Sequence, residues 1–143
     1  MPEVKDSIVI DVPREKFFEV IADFEKYPEF LPECKSCRID SDQGDVKVVT
    51  QSLALMKTIN LTTRMVLDPP NGLTWTLVKG DMMKMNNGSW TLEDAGEGKT
   101  RATYGLEMKL KGLIPSSVVN SLAKTSFPKM LKNFKARAEK LHG

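Results

Sequence analysis

Histidine is almost missing from this sequence: the single one among 143 residues is His142. No His-based triad, dyad or metal site can then be assembled inside a fold, which removes most familiar enzyme chemistries. Cysteine is scarce too, with only Cys34 and Cys37. Zinc would need two further ligands, and the chain offers no other Cys and only that His. A thioredoxin-type dithiol opens a helix after a strand, whereas this pair precedes strand-like Arg38-Ile39-Asp40, and cysteines three apart on a regular strand face opposite ways. The pair reads as structural. A dominant charge is lacking as well, since 21 Lys and Arg against 19 Asp and Glu leave +2, too little for a dedicated nucleic-acid binder. No apolar run approaches the roughly 20 residues of a membrane span. Met1-Pro2-Glu3 leads directly into a strand-like pattern without a targeting segment, so the expected location is cytoplasmic, at most peripheral to a membrane.

The length fits one domain, residues 1–143, large enough to bury roughly two thirds of the surface the unfolded chain exposes. Val4 to Val12 reads as a first strand, with Ile8, Ile10 and Val12 alternating against Ser7 and Asp11. Pro13 suits the first turn of a helix whose buried stripe is Phe17, Phe18, Val20, Ile21 and Phe24. Strand-like runs follow at about 34–42, 45–55, 58–68, 73–79, 88–94 and 99–111, divided by short turn signals. Consecutive strands with short turns imply an antiparallel sheet. In the last run Ala102, Tyr104, Leu106, Met108 and Leu110 share one face and Arg101, Thr103, Glu107 and Lys109 the other, so one face is buried and one wet. From Ala123 to Leu141, the residues Ala123, Phe127, Met130, Leu131, Phe134, Ala138 and Leu141 fall within an arc of about 100° at helical spacing. Val118, Val119 and Leu122 point away from that arc, and Pro128 removes a hydrogen bond to the carbonyl of Lys124, so a kink is expected near 123–128. These elements make an α+β architecture, a curved antiparallel sheet of about seven strands around a long kinked C-terminal helix, with two short helices after strand 1.

Between the first helix and the second strand lies Tyr27-Pro28-Glu29-Phe30-Leu31-Pro32. Each Pro lacks a donor and biases its predecessor toward extended conformations, so the helix should end near Tyr27 and a stiff apolar connector should follow, closing over something. Met82, Met83 and Met85 beside Gly80 suit either a pocket mouth for adaptable ligands or simple gap-filling on the inner face. Trp75 and Trp90 share faces with Leu73, Leu77 and Leu92, and core packing or cavity lining both fit them. Tyr104 points a phenol into the same interior, where it can fix a ligand oxygen or serve the core. Asn60 and Arg64 lie opposite Ile59, Leu61 and Met65 and should face solvent. The C-terminal helix carries Lys124, Lys129, Lys132, Lys135, Arg137 and Lys140 against Glu139, which is a solvated face or an attraction to anionic headgroups or RNA.

Four segments resemble the START-like helix-grip (SRPBCC) superfamily, in particular its coenzyme-Q-binding and polyketide-cyclase-like branch. They are Val12-Pro13 to Phe18 with Ala22-Asp23; Tyr27 to Pro32 running into Cys34; Gly88-Ser89-Trp90-Thr91-Leu92; and Phe134 with Arg137-Ala138 and Leu141-His142-Gly143. The segment Gly80 to Gly88 departs from that branch, which more usually has Gly-Pro-Phe before its late strand. The resemblance implies a hydrophobic ligand, often a quinone with an isoprenoid tail, held between sheet and long helix, and no other cofactor. Some bacterial relatives in the branch are described as interfering with ribosome association, which the resemblance also allows.

Residues and resemblance together point to a binding protein that stores, presents or carries a quinone or other lipid without chemical turnover. Tyr27, Phe30, Leu31, Trp75, Met82, Met83, Met85, Trp90, Tyr104, Leu106, Met108, Phe127, Met130, Leu131 and Phe134 are the expected ligand contacts. The 27–32 connector and Met82, Met83 and Met85 are the expected gate. Lys129, Lys132 and Lys135 are the candidate contact to an anionic membrane surface. Two other readings stay open. One is an aromatase/cyclase-type enzyme on a polyketide-like substrate; the other is a ribosome-associated, toxin-like module using the basic helix.

Overall fold

The structure is a computed structural model that describes residues 3–54, 58–112, 117 and 122–143. Val118 and Val119, and the side chains of Leu122 and Ala123, lie outside the described residues. In chain order the elements are β1 (Glu3–Ile10), α1 (Arg14–Ala22), a 3₁₀ segment (Phe24–Glu29), β2 (Cys34–Asp42), β3 (Val46–Ala54), β4 (Thr58–Asp68), β5 (Gly72–Gly80), β6 (Met83–Gly96), β7 (Lys99–Leu110), a π-helical turn (Leu122–Ser126) and α2 (Phe127–His142). The seven strands form one antiparallel sheet in the order β1-β7-β6-β5-β4-β3-β2. Its curved face grips α2, so the helix-grip α+β architecture expected from the alternating runs is the one adopted.

Side-chain parity explains the sheet's two faces. Along β7, Ala102, Tyr104, Leu106 and Met108 are buried and alternate with half-buried or exposed neighbours. Along β4, Ile59, Leu61, Thr63, Met65 and Leu67 are buried, whereas Asn60 and Arg64 are exposed. On α2, Leu131, Phe134 and Ala138 form the fully buried stripe. The helical break expected near 123–128 falls at the π-helical turn, and Pro128 sits in the first turn of α2 immediately after it.

Two boundaries and one side-chain orientation differ from the sequence expectation. First, α1 ends at Ala22, not near Tyr27, because Asp23 leaves helical geometry and the chain tightens into the 3₁₀ segment. A helix end leaves carbonyls without partners, and the Tyr27 hydroxyl donates to one of them, Ile21 O. Second, β6 starts at Met83, so the methionine cluster is the beginning of a strand paired with Leu110 and Lys109 of β7. Third, Cys34 and Cys37 do not face opposite ways: an irregularity between Cys34 and Ser36 inserts a residue into the β2 register, and both thiols are buried.

Gly88 shows how tightly the inner face is filled. It lies opposite Trp75, and a Cβ there would sit 2.0 Å from Trp75 Cζ2. Gly88→Ala is expected to lower stability by about 1–3 kcal/mol through overpacking, read as a fall in the urea midpoint with unchanged slope.

Candidate functional site

A cavity of about 160 Å³ lies between the sheet and α2. Leu61, Thr63 and Met65 of β4 and Leu73 and Trp75 of β5 form part of its floor. Met83, Asn86 and Trp90 of β6 and Tyr104, Leu106 and Met108 of β7 complete the floor. Ser126, Phe127, Met130 and Phe134 form its roof, and Tyr27, Leu31, Glu33, Cys34, Gln51 and Leu53 close one end. Glu33, Gln51, Leu53, Ser126, Phe127 and Met130 are only half-buried. Among the described residues, the least buried part of the lining therefore lies between the β2–β3 end of the sheet and the first turn of α2.

Of the residues expected around a ligand, Tyr27, Leu31, Trp75, Met83, Trp90, Tyr104, Leu106, Met108, Phe127, Met130 and Phe134 line this cavity. Phe30, Met82, Met85 and Leu131 do not. Leu131 is buried at 2% exposure in the core beside the cavity, and Phe30 packs outside it against Phe134 at 5.1 Å. Met82 occupies a turn at φ 57°. Met85 is half-buried and outside the inner row because the β6–β7 register is irregular between Met83 and Met85. Only Met83 of the trio reaches the cavity, and at 3% exposure it belongs to the floor.

An aromatic chain fixes the cavity walls. Trp90 meets Phe17, Tyr104 and Phe134 at centroid distances of 5.6, 5.1 and 5.1 Å. Phe134 meets Tyr27 at 5.4 Å, and Trp75 lies against Tyr104 at 5.6 Å. The connector is thus fastened to α2 by rings, and charge adds to it: Arg137 donates to Glu29 at 2.7 Å and lies 5.2 Å over the Phe30 ring. Further along α2, Lys135 donates to Val9 O at 3.0 Å and to Glu139 at 2.6 Å, while Glu139 accepts the Asp11 N–H at 2.9 Å. Lys135 and Arg137 are therefore spent on holding the helix, whereas Lys124, Lys129, Lys132 and Lys140 remain exposed.

Polar groups inside are few. Trp75 Nε1 donates to Asn86 Oδ1 at 2.9 Å, and Asn86 Nδ2 reaches the Met83 sulfur at 3.6 Å. The Tyr27 and Tyr104 phenols are pushed well above their ordinary pKa by burial, so both stay protonated. The Cys37 thiol beside Cys34 lowers the Cys34 pKa, and the same contact together with burial raises that of Cys37. Cys34 donates weakly to Ser36 O at 3.4 Å and Gln51 Oε1 at 3.8 Å. The Thr63 hydroxyl is buried without any partner among the described residues. Parity could have identified Thr63 and Asn86 in advance, since they share the inward phase of Leu61 and Met65 and of Trp90. The bulge that turns Cys34 inward has no such signature.

A model of the family described as polyketide cyclase / dehydrase and lipid transport matches residues 10–135. A ribosome association toxin, RatA, of Pseudomonas aeruginosa is 25% identical over 145 residues, covering 98% of this chain and 97% of that protein. The fold is shared with a START superfamily protein from Mycobacterium smegmatis, at a TM-score of 0.87 and 21% identity over 97% of this chain and 98% of that one. It is also shared with the Zhui aromatase/cyclase from Streptomyces sp. R1128, at a TM-score of 0.81 and 17% identity over 96% and 93%.

The carboxylates that anchor α2 make its docking sensitive to acid. Arg137 holds Glu29 below the usual carboxylate range, and Lys135 does the same for Glu139. A depressed folded pKa stabilises at pH above the unfolded value, about 4.3, and that contribution is lost as pH falls through the folded pKa. Glu29→Gln/Glu139→Gln should therefore flatten the decline of the urea midpoint between about pH 5 and pH 3 relative to the parent.

Proposed function

Because the chain belongs to the polyketide cyclase/dehydrase and lipid transport family, we propose that it binds a hydrophobic small molecule, a quinone or other lipid, and holds it without turnover. The observation that carries this reading is the cavity of about 160 Å³ walled mainly by apolar and aromatic side chains. An apolar protein cavity of roughly 150 Å³ accepts benzene, whereas drug-sized ligands need about 300–1,000 Å³. The space suits one ring-sized head group, with an apolar remainder leaving past Leu53 and Met130. It is small for an extended polyketide chain. The protonated phenols of Tyr27 and Tyr104 favour holding over acid–base chemistry. Phe30, Met82, Met85 and Leu131 have no direct contact role in this reading; the connector acts by fixing Phe134.

Organic extracts of the purified protein should contain a stoichiometric apolar molecule identifiable by mass spectrometry. Leu53→Trp, which plugs the half-buried edge of the cavity, should lose that molecule. At a free ligand concentration of about 100 times Kd, the parent should gain about 2.7 kcal/mol over the plugged variant. Ligand-free extracts from repeated preparations, with no stabilisation by added quinone, would refute the reading.

A second reading is favoured by the name of the P. aeruginosa relative and by the exposed Lys124, Lys129, Lys132 and Lys140. In it the basic face of α2 contacts ribosomal RNA. Binding of this kind weakens steeply with salt. Lys129→Glu/Lys132→Glu should abolish co-sedimentation with ribosomal subunits at low salt, and co-sedimentation indifferent to both salt and substitution counts against it. Lys135 is excluded from the variant because it is tied to Glu139 and Val9.

A further inference from the structure

We propose that Cys34 and Cys37 form a dithiol that closes to a disulfide on reaction with a hydroperoxide, which makes the end wall of the cavity a site of reversible oxidation. Neither thiol needs a bound ligand for this chemistry, so the site does not depend on the binding role above.

On a regular strand, side chains three residues apart point to opposite faces. The register of β2 against β3 departs from that rule: Cys34 pairs with Leu53 and Ser36 with Ser52, so two steps on β2 answer one step on β3. Cys37 consequently pairs with Gln51. Residues directly opposite on antiparallel strands share a face, and Gln51 and Leu53, two apart on β3, both line the cavity. The two cysteines therefore stand side by side on the inner face. Both are buried, both are free, and their thiols hydrogen-bond to each other.

Structural cysteines buried in apolar surroundings have raised pKa values and are inert. This pair is asymmetric instead. The hydrogen bond with Cys37 holds the Cys34 thiol below its ordinary range, whereas the same contact and burial hold Cys37 above it. Cys34 is also the one of the two that lines the cavity, and its Sγ lies 3.8 Å from Oε1 of half-buried Gln51. The nucleophile and the rim of the cavity thus coincide at Cys34, with Cys37 behind it as the resolving thiol.

As thiolate, Cys34 attacks one peroxide oxygen; the O–O bond breaks, and the departing hydroxide takes up the proton that Cys34 released and leaves as water. The Cys37 sulfur then attacks the Cys34 sulfenic acid. The S–S bond forms, the S–O bond breaks, and the hydroxyl leaves with the Cys37 proton as a second water. The two sulfurs lose two electrons in all, and the peroxide gains them. The product no longer offers a thiol proton to Ser36 O or Gln51 Oε1, which Cys34 contacts at 3.4 and 3.8 Å, and it spans the bulge covalently.

The test uses the reduced full chain, freed of reductant, treated with hydrogen peroxide and then alkylated in urea for measurement of its intact mass. We expect a monomer lighter by two hydrogens with no alkylated cysteine, and dithiothreitol should restore both thiols. In Cys37→Ser, dimedone should trap Cys34 as a sulfenic acid; in Cys34→Ser, Cys37 should remain alkylatable. Closure should be faster in the folded chain than in a chain unfolded in urea before peroxide is added, where the mutual hydrogen bond is lost. Two alkylated cysteines after peroxide, oxygen added to sulfur without a disulfide, a disulfide joining two chains, or closure no faster than in urea each overturns the assignment. These four results are read on the parent chain, so they hold even where a serine variant fails to fold.

Discussion

The contact on which most of the structure depends is the set of edge-to-face rings around Phe134. This side chain is 2% exposed and meets Tyr27, Phe30 and Trp90 at 5.4, 5.1 and 5.1 Å. It therefore joins three parts of the chain that are distant in sequence: the connector, the inner face of β6, and α2. Each such pair contributes about 0.5–1.5 kcal/mol beyond area burial, and no other residue of α2 reaches both the sheet and the connector through rings. Where Phe134 sits decides where the helix lies over the sheet, and the cavity is the space left between that fixed point and the first turn of α2.

The connector illustrates what sequence can and cannot express. Two prolines and three apolar side chains announced a stiff cover, and Tyr27 and Leu31 do close one end of the cavity. Its conformation was less legible, because Pro28 tolerates a 3₁₀ turn as well as an extended one, and the contact that accompanies the turn, from the Tyr27 hydroxyl to the Ile21 carbonyl, depends on where α1 ends. The alternation of β7 and the stripe of α2 were readable for the opposite reason: each is set by local period against a single core. The inward Cys34 and the early start of β6 escaped because a bulge shifts phase without changing composition. Thr63 was legible by parity but easily passed over, since a threonine in a strand is ordinary until its hydroxyl is found alone.

Chemistry and packing divide the interior between them. Trp75 is satisfied by Asn86, Tyr27 by the backbone, and Thr100 by the Val12 carbonyl at 2.8 Å. Most buried polar groups in this fold thus serve the fold itself. Membership of a family whose description joins cyclases with lipid transport is consistent with one scaffold serving either task, as the lining dictates.

The distribution of fastenings along α2 has a mechanical meaning. Arg137, Lys135 and Glu139 tie its C-terminal half to the connector, to Val9 and to Asp11. Among the described residues, no ion pair or side-chain hydrogen bond holds Ser126, Phe127 or Met130, which line the least buried part of the cavity. Among the described residues the charged fastenings of α2 are thus gathered in its C-terminal half, while Phe127 and Met130 contribute ring and thioether surface to the cavity. Swinging the C-terminal half of α2 away from the sheet would have to break the contacts of Arg137 with Glu29 and of Glu139 with Asp11.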